Sequence, residues 1–89
     1  MKLKSNYVLR QVADTWVVLP LAEENLNLNG MLTLNNAGAL LWKVLERGCG
    51  RQELVEELTA KYEVSHEQAA MDVDKFLQKL REIGCLEAE

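Results

Sequence analysis

The hydrophobic periodicity of the chain changes once, at Asn35, and this change limits the fold more than any other feature of the sequence. Before it, residues 7–34 carry β-branched and aromatic residues in short runs that are typical of strands. After it, apolar residues recur at helical spacing as far as Ile83. Strands followed by helices indicate an α+β domain with its helices on one face of an antiparallel sheet.

Three strands are predicted in the first part of the chain. The segments YVLRQV (7–12) and TWVVLP (15–20) are separated by two residues, a short break that is typical of a hairpin. The segment LNLNGMLTL (26–34) alternates apolar and polar residues. Gly30 interrupts that alternation, as a bulge or a bend would. We therefore expect a three-stranded antiparallel sheet whose third strand is kinked.

The first two of three predicted helices follow directly. Asn35 or Asn36 begins the first helix, because an asparagine side chain accepts hydrogen bonds from first-turn amides. Gly48 ends it in the manner of a C-terminal glycine. The second helix is predicted over residues 51–62, with its apolar side chains on one side: Leu54, Val55, Leu58 and Tyr62.

The third helix has clear signals at both ends. The segment SHEQ (65–68) matches a capping box, with Ser65 as the N-cap and Gln68 reaching back to it. Gly84 ends the helix. Its apolar positions share one face: Ala69, Val73, Phe76, Leu80 and Ile83. The short connection between the last two helices resembles a helix-turn-helix.

Length and composition indicate one small domain, residues 1–89, with 48% hydrophobic residues. The formal charge of −4, from 10 Lys and Arg against 14 Asp and Glu, argues against non-specific binding to polyanions. No apolar run approaches the ~20 residues of a membrane helix, and the first residues contain no signal-peptide core. We therefore expect a cytoplasmic protein without a membrane partner.

Residues that could carry chemistry are few and scattered. His66 is the single histidine and occupies the first turn of a predicted helix, where a solvated side chain is the ordinary role. Cys49 and Cys85 lack the local ligand spacing of a metal site. The five glycines form no phosphate-binding loop. We expect no enzymatic activity, no metal and no cofactor.

Macromolecular partners are the remaining class. A small winged-helix DNA-binding regulator is one alternative, but residues 65–83 carry four acidic against three basic side chains, a poor match to phosphates. An exposed sheet edge, by contrast, can accept an extended peptide as an additional strand. A further alternative is a structural subunit, or a homodimer, that uses the same edge.

The third helix offers two flanks that could line a peptide cleft. Around a stripe centred on Val73 and Leu80, one flank carries Ala70, Asp74, Leu77 and Arg81, and the other carries Asp72 and Lys79, with Phe76 and Ile83 nearer the stripe. Each flank combines apolar surface with one acid and one base. The sequence therefore leaves open which flank faces the cleft.

Four segments together resemble the PqqD family of small peptide chaperones, named after the pyrroloquinoline quinone pathway. They are YVLRQVADTWVVLP (7–20), LNNAGALLWKVL (34–45), ELVEELTAKYEV (53–64) and DVDKFLQKLREIGCLE (72–87). The resemblance implies a winged helix-turn-helix-like domain that binds the leader segment of a precursor peptide, as an added strand, between the third strand and the third helix. It also implies a modifying enzyme as partner, often a radical S-adenosylmethionine maturase that holds its own iron–sulfur clusters.

Carried over by position, the resemblance assigns ten peptide-binding residues: Gly30, Met31, Leu32, Thr33, Leu34, Asp72, Lys75, Phe76, Leu77 and Lys79. We further expect Gly38 to let the first helix lie close to the sheet. Trp42, off the main stripe of that helix, is expected to extend its apolar contact. The resemblance leaves open the precursor peptide, the modifying enzyme and the final product.

Overall fold

The computed structural model describes residues 1–5, 7–20 and 32–87. Its elements are β1 (Tyr7–Val12), β2 (Thr15–Pro20), β3 (Leu32–Leu34), α1 (Asn36–Glu46), α2 (Arg51–Lys61) and α3 (His66–Ile83). The three strands form one antiparallel sheet and precede the three helices, so the predicted α+β class is confirmed. The predicted first part of the third strand and its kink at Gly30 lie outside the described residues.

The order of the strands in the sheet is β1, β2, β3, which puts β2 in the centre and β3 at an edge. Residues of β1 and β2 pair from Tyr7 with Pro20 to Val12 with Thr15, leaving a two-residue loop. The register of β3 is fixed by pairing of Trp16 with Leu34. Within the described residues, β2 is the one strand that pairs with β3, so the other side of β3 carries backbone groups without a strand partner.

Side-chain caps explain where two of the helices begin. Asn35 Oδ1 accepts from the backbone N–H of Gly38 at 2.8 Å, and Ser65 Oγ accepts from that of Gln68 at 3.0 Å. Both predicted caps are confirmed. The predicted reciprocal bond from Gln68 back to Ser65 is wrong, because the Gln68 side chain points along the helix and donates to Asp72 Oδ1 at 2.9 Å.

The hydrophobic core lies between the sheet and the three helices. Its most deeply buried members come from all four of these elements: Val18, Trp42, Leu45, Leu54, Val55, Val73, Leu77 and Leu80. Trp42 is only 1% exposed, so it is a central core residue rather than an extension of the apolar stripe. Tyr62 is 39% exposed, because it follows the last residue of α2 in an extended conformation and the helical pattern does not apply to it.

Candidate functional site

A groove of about 320 Å³ opens between β3, the first turns of α1 and one flank of α3. This volume is at the lower end of the ~300–1,000 Å³ that is usual for ligand pockets. The lining residues come from both sides of the groove and from α2: Thr33, Leu34, Asn35, Ala37, Gly38, Leu41, Leu58, Asp72, Lys75, Phe76 and Lys79. The groove therefore lies directly beside the edge strand.

The floor of the groove is apolar and consists of Leu34, Leu41, Leu58 and Phe76. These side chains also belong to the hydrophobic core, and Phe76 is only 7% exposed. Groove and core thus share one continuous apolar surface. An apolar side chain of a ligand would bury its surface there without displacing any of the domain's own core residues.

Gly38 allows α1 to approach β3 closely enough to form one wall of this groove. A Cβ atom at position 38 would lie 3.2 Å from Leu34 Cβ and 3.3 Å from Asn35 Oδ1. Both contacts are tighter than ordinary van der Waals packing, and Asn35 is held in place by its capping bond. The prediction that Gly38 lets the first helix lie close to the sheet is confirmed.

The rim of the groove on α3 is charged and consists of Asp72, Lys75 and Lys79, all exposed. Two ammonium groups and one carboxylate give this rim a net positive charge, although the chain as a whole carries −4. The first turn of α1, which forms the opposite wall, contains no acidic residue. Its N-terminal backbone amides add to the positive potential.

The structure identifies which flank of α3 faces the groove. Successive residues of a helix are about 100° apart, which places Asp72, Lys75 and Lys79 on one side and Asp74 on the other. The groove is lined by the first set, together with Phe76. We call this side the groove flank, and the side that carries Asp74 the closed flank.

The predicted site residues divide into three groups. Thr33, Leu34, Asp72, Lys75, Phe76 and Lys79 line the groove. Leu32 and Leu77 do not line it and belong to the hydrophobic core. The remaining two, Gly30 and Met31, lie outside the described residues.

Five lining residues were not predicted as part of the site: Asn35, Ala37, Gly38, Leu41 and Leu58. The sequence did contain a signal for those on α1. Ala37, Gly38 and Leu41 are spaced so that they share one helical face, next to Leu34 at the end of the edge strand. Leu58 carried no such signal, because its contact with the groove depends on how α2 packs against the other two helices.

Two exposed contacts join the elements that surround the groove. On the closed flank, Arg51 Nε and Nη2 donate to the two carboxylate oxygens of Asp74 at 2.6 and 3.0 Å, which joins α2 to α3. On the other wall, Trp16 Nε1 donates to Asn36 Oδ1 at 3.0 Å, which joins β2 to α1. Lys43 Nζ lies 4.5 Å from the centre of the same Trp16 ring.

The two cysteines of the chain, Cys49 and Cys85, are both buried. Burial raises the pKa of the Cys85 thiol to about 11 and also raises the pKa of Cys49, so neither is a ready nucleophile. Across residues 1–5, 7–20 and 32–87, no three His, Cys, Asp or Glu side chains form a group that could hold a metal ion. Within the same ranges, no helix combines the length and apolar character needed to cross a membrane.

The fold and the groove define a small α+β domain of the winged helix-turn-helix type with an edge strand beside a partly charged cleft. The chain belongs to the PqqD family: the family model described as "Coenzyme PQQ synthesis protein D (PqqD)" matches residues 15–86. The predicted family is therefore confirmed. A search of curated protein sequences gave no match.

Two solved structures are similar over almost the whole length of both chains. One is described as "TbiB1 in Complex with the TbiA(beta) Leader Peptide", with a TM-score of 0.78, 27% identity, and coverage of 100% of this chain and 98% of that one. The other is "Lasso peptide synthetase B1 complexed with the leader peptide", with a TM-score of 0.75, 23% identity, and coverage of 98% and 96%. The DNA-binding alternative gains no support from these comparisons.

Proposed function

We propose that this chain is a non-catalytic peptide chaperone that binds the leader segment of a precursor peptide and presents it to a modifying enzyme. The observation that carries the proposal is the position of the groove, directly beside the side of β3 that has no strand partner among the described residues. Both similar solved structures are described as complexes with leader peptides.

In this proposal the leader adds to β3 as a fourth strand. Its backbone pairs with the outward amides and carbonyls of Thr33 and the adjacent residues, which supplies affinity independent of sequence. Alternate side chains then point into the groove, where the floor buries apolar surface and the rim contributes charge. Leader residues between those positions face away from the domain and are free to contact the enzyme.

The chemistry of modification belongs to the partner in this proposal. The described part of the chain offers no metal-binding group, and its two thiols are buried. A radical S-adenosylmethionine maturase is the class of enzyme that we expect. Free rather than paired cysteines fit a reducing compartment, and we place the function in the cytoplasm.

The decisive experiment is an N-methyl scan of the peptide, which leaves the protein unchanged. The probe is a synthetic leader segment from the precursor peptide encoded beside the gene, with one backbone nitrogen methylated in each variant. In an added strand, alternate N–H groups point toward β3. Methylation is therefore expected to weaken binding at every second residue. Each such methyl group removes one hydrogen bond to β3 and blocks the approach of the strand, which should lower the affinity by about tenfold.

The intervening positions of the scan are the matched controls, because there the same methyl group is placed on a nitrogen that points to solvent. Binding would be measured by isothermal titration calorimetry, and the site by amide chemical shifts of the labelled protein. We expect shifts at Thr33, Leu34, Asp72, Phe76 and Lys79. An N-methyl profile with helical periodicity, or shifts centred away from the groove, would contradict strand addition at β3.

A further inference from the structure

The two lysines of the rim differ from Asp74, on the opposite flank of α3, in having no ion-pair partner within the described part of the chain. Asp74 is paired with Arg51, and Asp72 accepts from Gln68. Among the described residues, neither Lys75 nor Lys79 has an ion-pair or hydrogen-bond partner. Both nevertheless lie beside an apolar floor, where a bound peptide would displace water from around their ammonium groups.

The charges of the rim are also ordered along α3. With a rise of about 1.5 Å per residue, Asp72 lies about 6 Å from the floor residue Phe76 in one direction, and Lys79 about 4.5 Å in the other. A strand rises about 3.3 Å per residue, so its same-face side chains are about 6.6 Å apart. Lys75 lies between Asp72 and Phe76, so the basic end of the groove is marked by Lys79, within about two residues of a strand from the apolar centre.

From this order we propose that the groove selects a leader segment in which a large apolar residue is separated by one residue from an aspartate or glutamate, with the carboxylate beside Lys79. On the opposite side of the apolar residue, Asp72 and Lys75 lie close together with opposite charges, so no preference for either sign is expected there. This selectivity rests on the proposed function and specifies the chemistry of its ligand.

The preference for a carboxylate runs against the charge of the whole chain. At a net charge of −4, the long-range field repels an acidic peptide. A measured preference for acid at one position must therefore arise locally. Lys61 provides the matched control, because it is also an exposed lysine but belongs to the last turn of α2 and does not line the groove.

The test is a charge scan of the leader segment used for N-methylation, with each position changed in turn to Asp, Ser and Lys. Binding to the full chain is measured by fluorescence anisotropy. We expect one position, two residues from an apolar one, where Asp binds about fivefold more tightly than Lys. Lys79→Glu should reverse that order, whereas Lys61→Glu, which changes the net charge by the same amount, should keep it.

The outcomes separate this inference from the proposed function. If the segment binds and Asp and Lys are equivalent at every position, the charge selectivity is overturned and leader binding stands. If Lys61→Glu reverses the order as strongly as Lys79→Glu does, the selectivity is a net-charge effect and the inference is also overturned. If no variant of the segment binds, leader binding at the groove fails.

Discussion

The two flanks of α3 have similar composition but differ in whether their charged side chains are paired within the chain. On the closed flank, two hydrogen bonds from Arg51 to Asp74 join α2 to α3. On the groove flank, Lys75 and Lys79 have no partner among the described residues, and Phe76 forms part of an open floor. A charge that is paired with another residue of the chain contributes to stability, whereas an unpaired charge beside an apolar surface is available to a ligand.

This comparison can be tested most directly by substituting buried residues on either side of the apolar face of α3. Phe76 lies toward the groove and Leu77 toward the core, and both are almost fully buried. Phe76→Ala and Leu77→Ala are each expected to lower the free energy of unfolding by about 3 kcal/mol, because each leaves a cavity. Urea denaturation followed by circular dichroism would measure both losses.

Milder substitutions at these two positions should separate stability from binding. Phe76→Leu changes the shape of the groove floor, and Leu77→Met keeps the volume of a core residue. We expect Phe76→Leu to weaken binding of the leader segment about fivefold, and Leu77→Met to leave the affinity unchanged. Equal effects of the two substitutions on affinity would mean that the groove flank has no special role.

The close approach of α1 should be the next most sensitive feature. Gly38→Leu is expected to lower the free energy of unfolding by about 2 kcal/mol, because its side chain would meet Leu34 and Asn35 at the groove wall. Gly38→Ala is the control, since its tight contacts are offset by a gain in helix propensity of about 1 kcal/mol. Unchanged thermal stability of Gly38→Leu would contradict the account of this wall.

Local rules were sufficient to predict most of the fold. The N-caps Asn35 and Ser65 and the terminal glycine Gly84 act through bonds to residues within one helical turn, so the sequence contains both partners. The same locality explains the exceptions. Gln68 had two partners within reach, and the one that it binds depends on side-chain geometry that no motif specifies. Tyr62 follows the helical pattern but lies beyond the end of the helix.

The site was less predictable, because it depends on how elements pack. The two flanks of α3 have equivalent patterns, and the packing of α2 against one of them, through Arg51 and Asp74, leaves the other open. Leu77 was carried over as a binding residue by resemblance, yet that packing buries it. Leu58 lines the groove because of the same packing of α2 against α3.

The contacts of Trp16 with α1 should make a smaller contribution to the free energy of unfolding. Trp16→Phe removes the hydrogen bond to Asn36 and is expected to lower the free energy of unfolding by about 1 kcal/mol. Lys43→Met keeps that bond and removes the cation from the Trp16 ring, for an expected loss of about 0.5 kcal/mol. If Lys43→Met costs more than Trp16→Phe, the ring contact rather than the hydrogen bond holds the wall. Urea denaturation would rank the two.

The smallest expected effect belongs to the closed flank and depends on pH. Hydrogen bonds from Arg51 hold the pKa of Asp74 below its usual value of 3.8. Because the pKa is lower in the folded protein than in the unfolded chain, this contribution to stability is present above the usual pKa. It is lost as the pH falls through the lowered one. Both side chains are exposed, so the contribution is small and weakens further with salt.

Asp74→Asn tests this directly, and the melting temperature is the measurement. Relative to the unchanged protein, the variant should melt slightly lower at pH 6, and the difference should vanish as the pH falls below the usual pKa of the carboxyl group. In an Arg51→Gln background, the pH-dependent effect of Asp74→Asn should be smaller, because Arg81 is then the remaining cation that lowers the pKa of Asp74. Leader affinity should be unchanged in both variants, since neither residue lines the groove. A loss of affinity on breaking this pair would mean that the closed flank sets the geometry of the open one, and that the two flanks do not act independently.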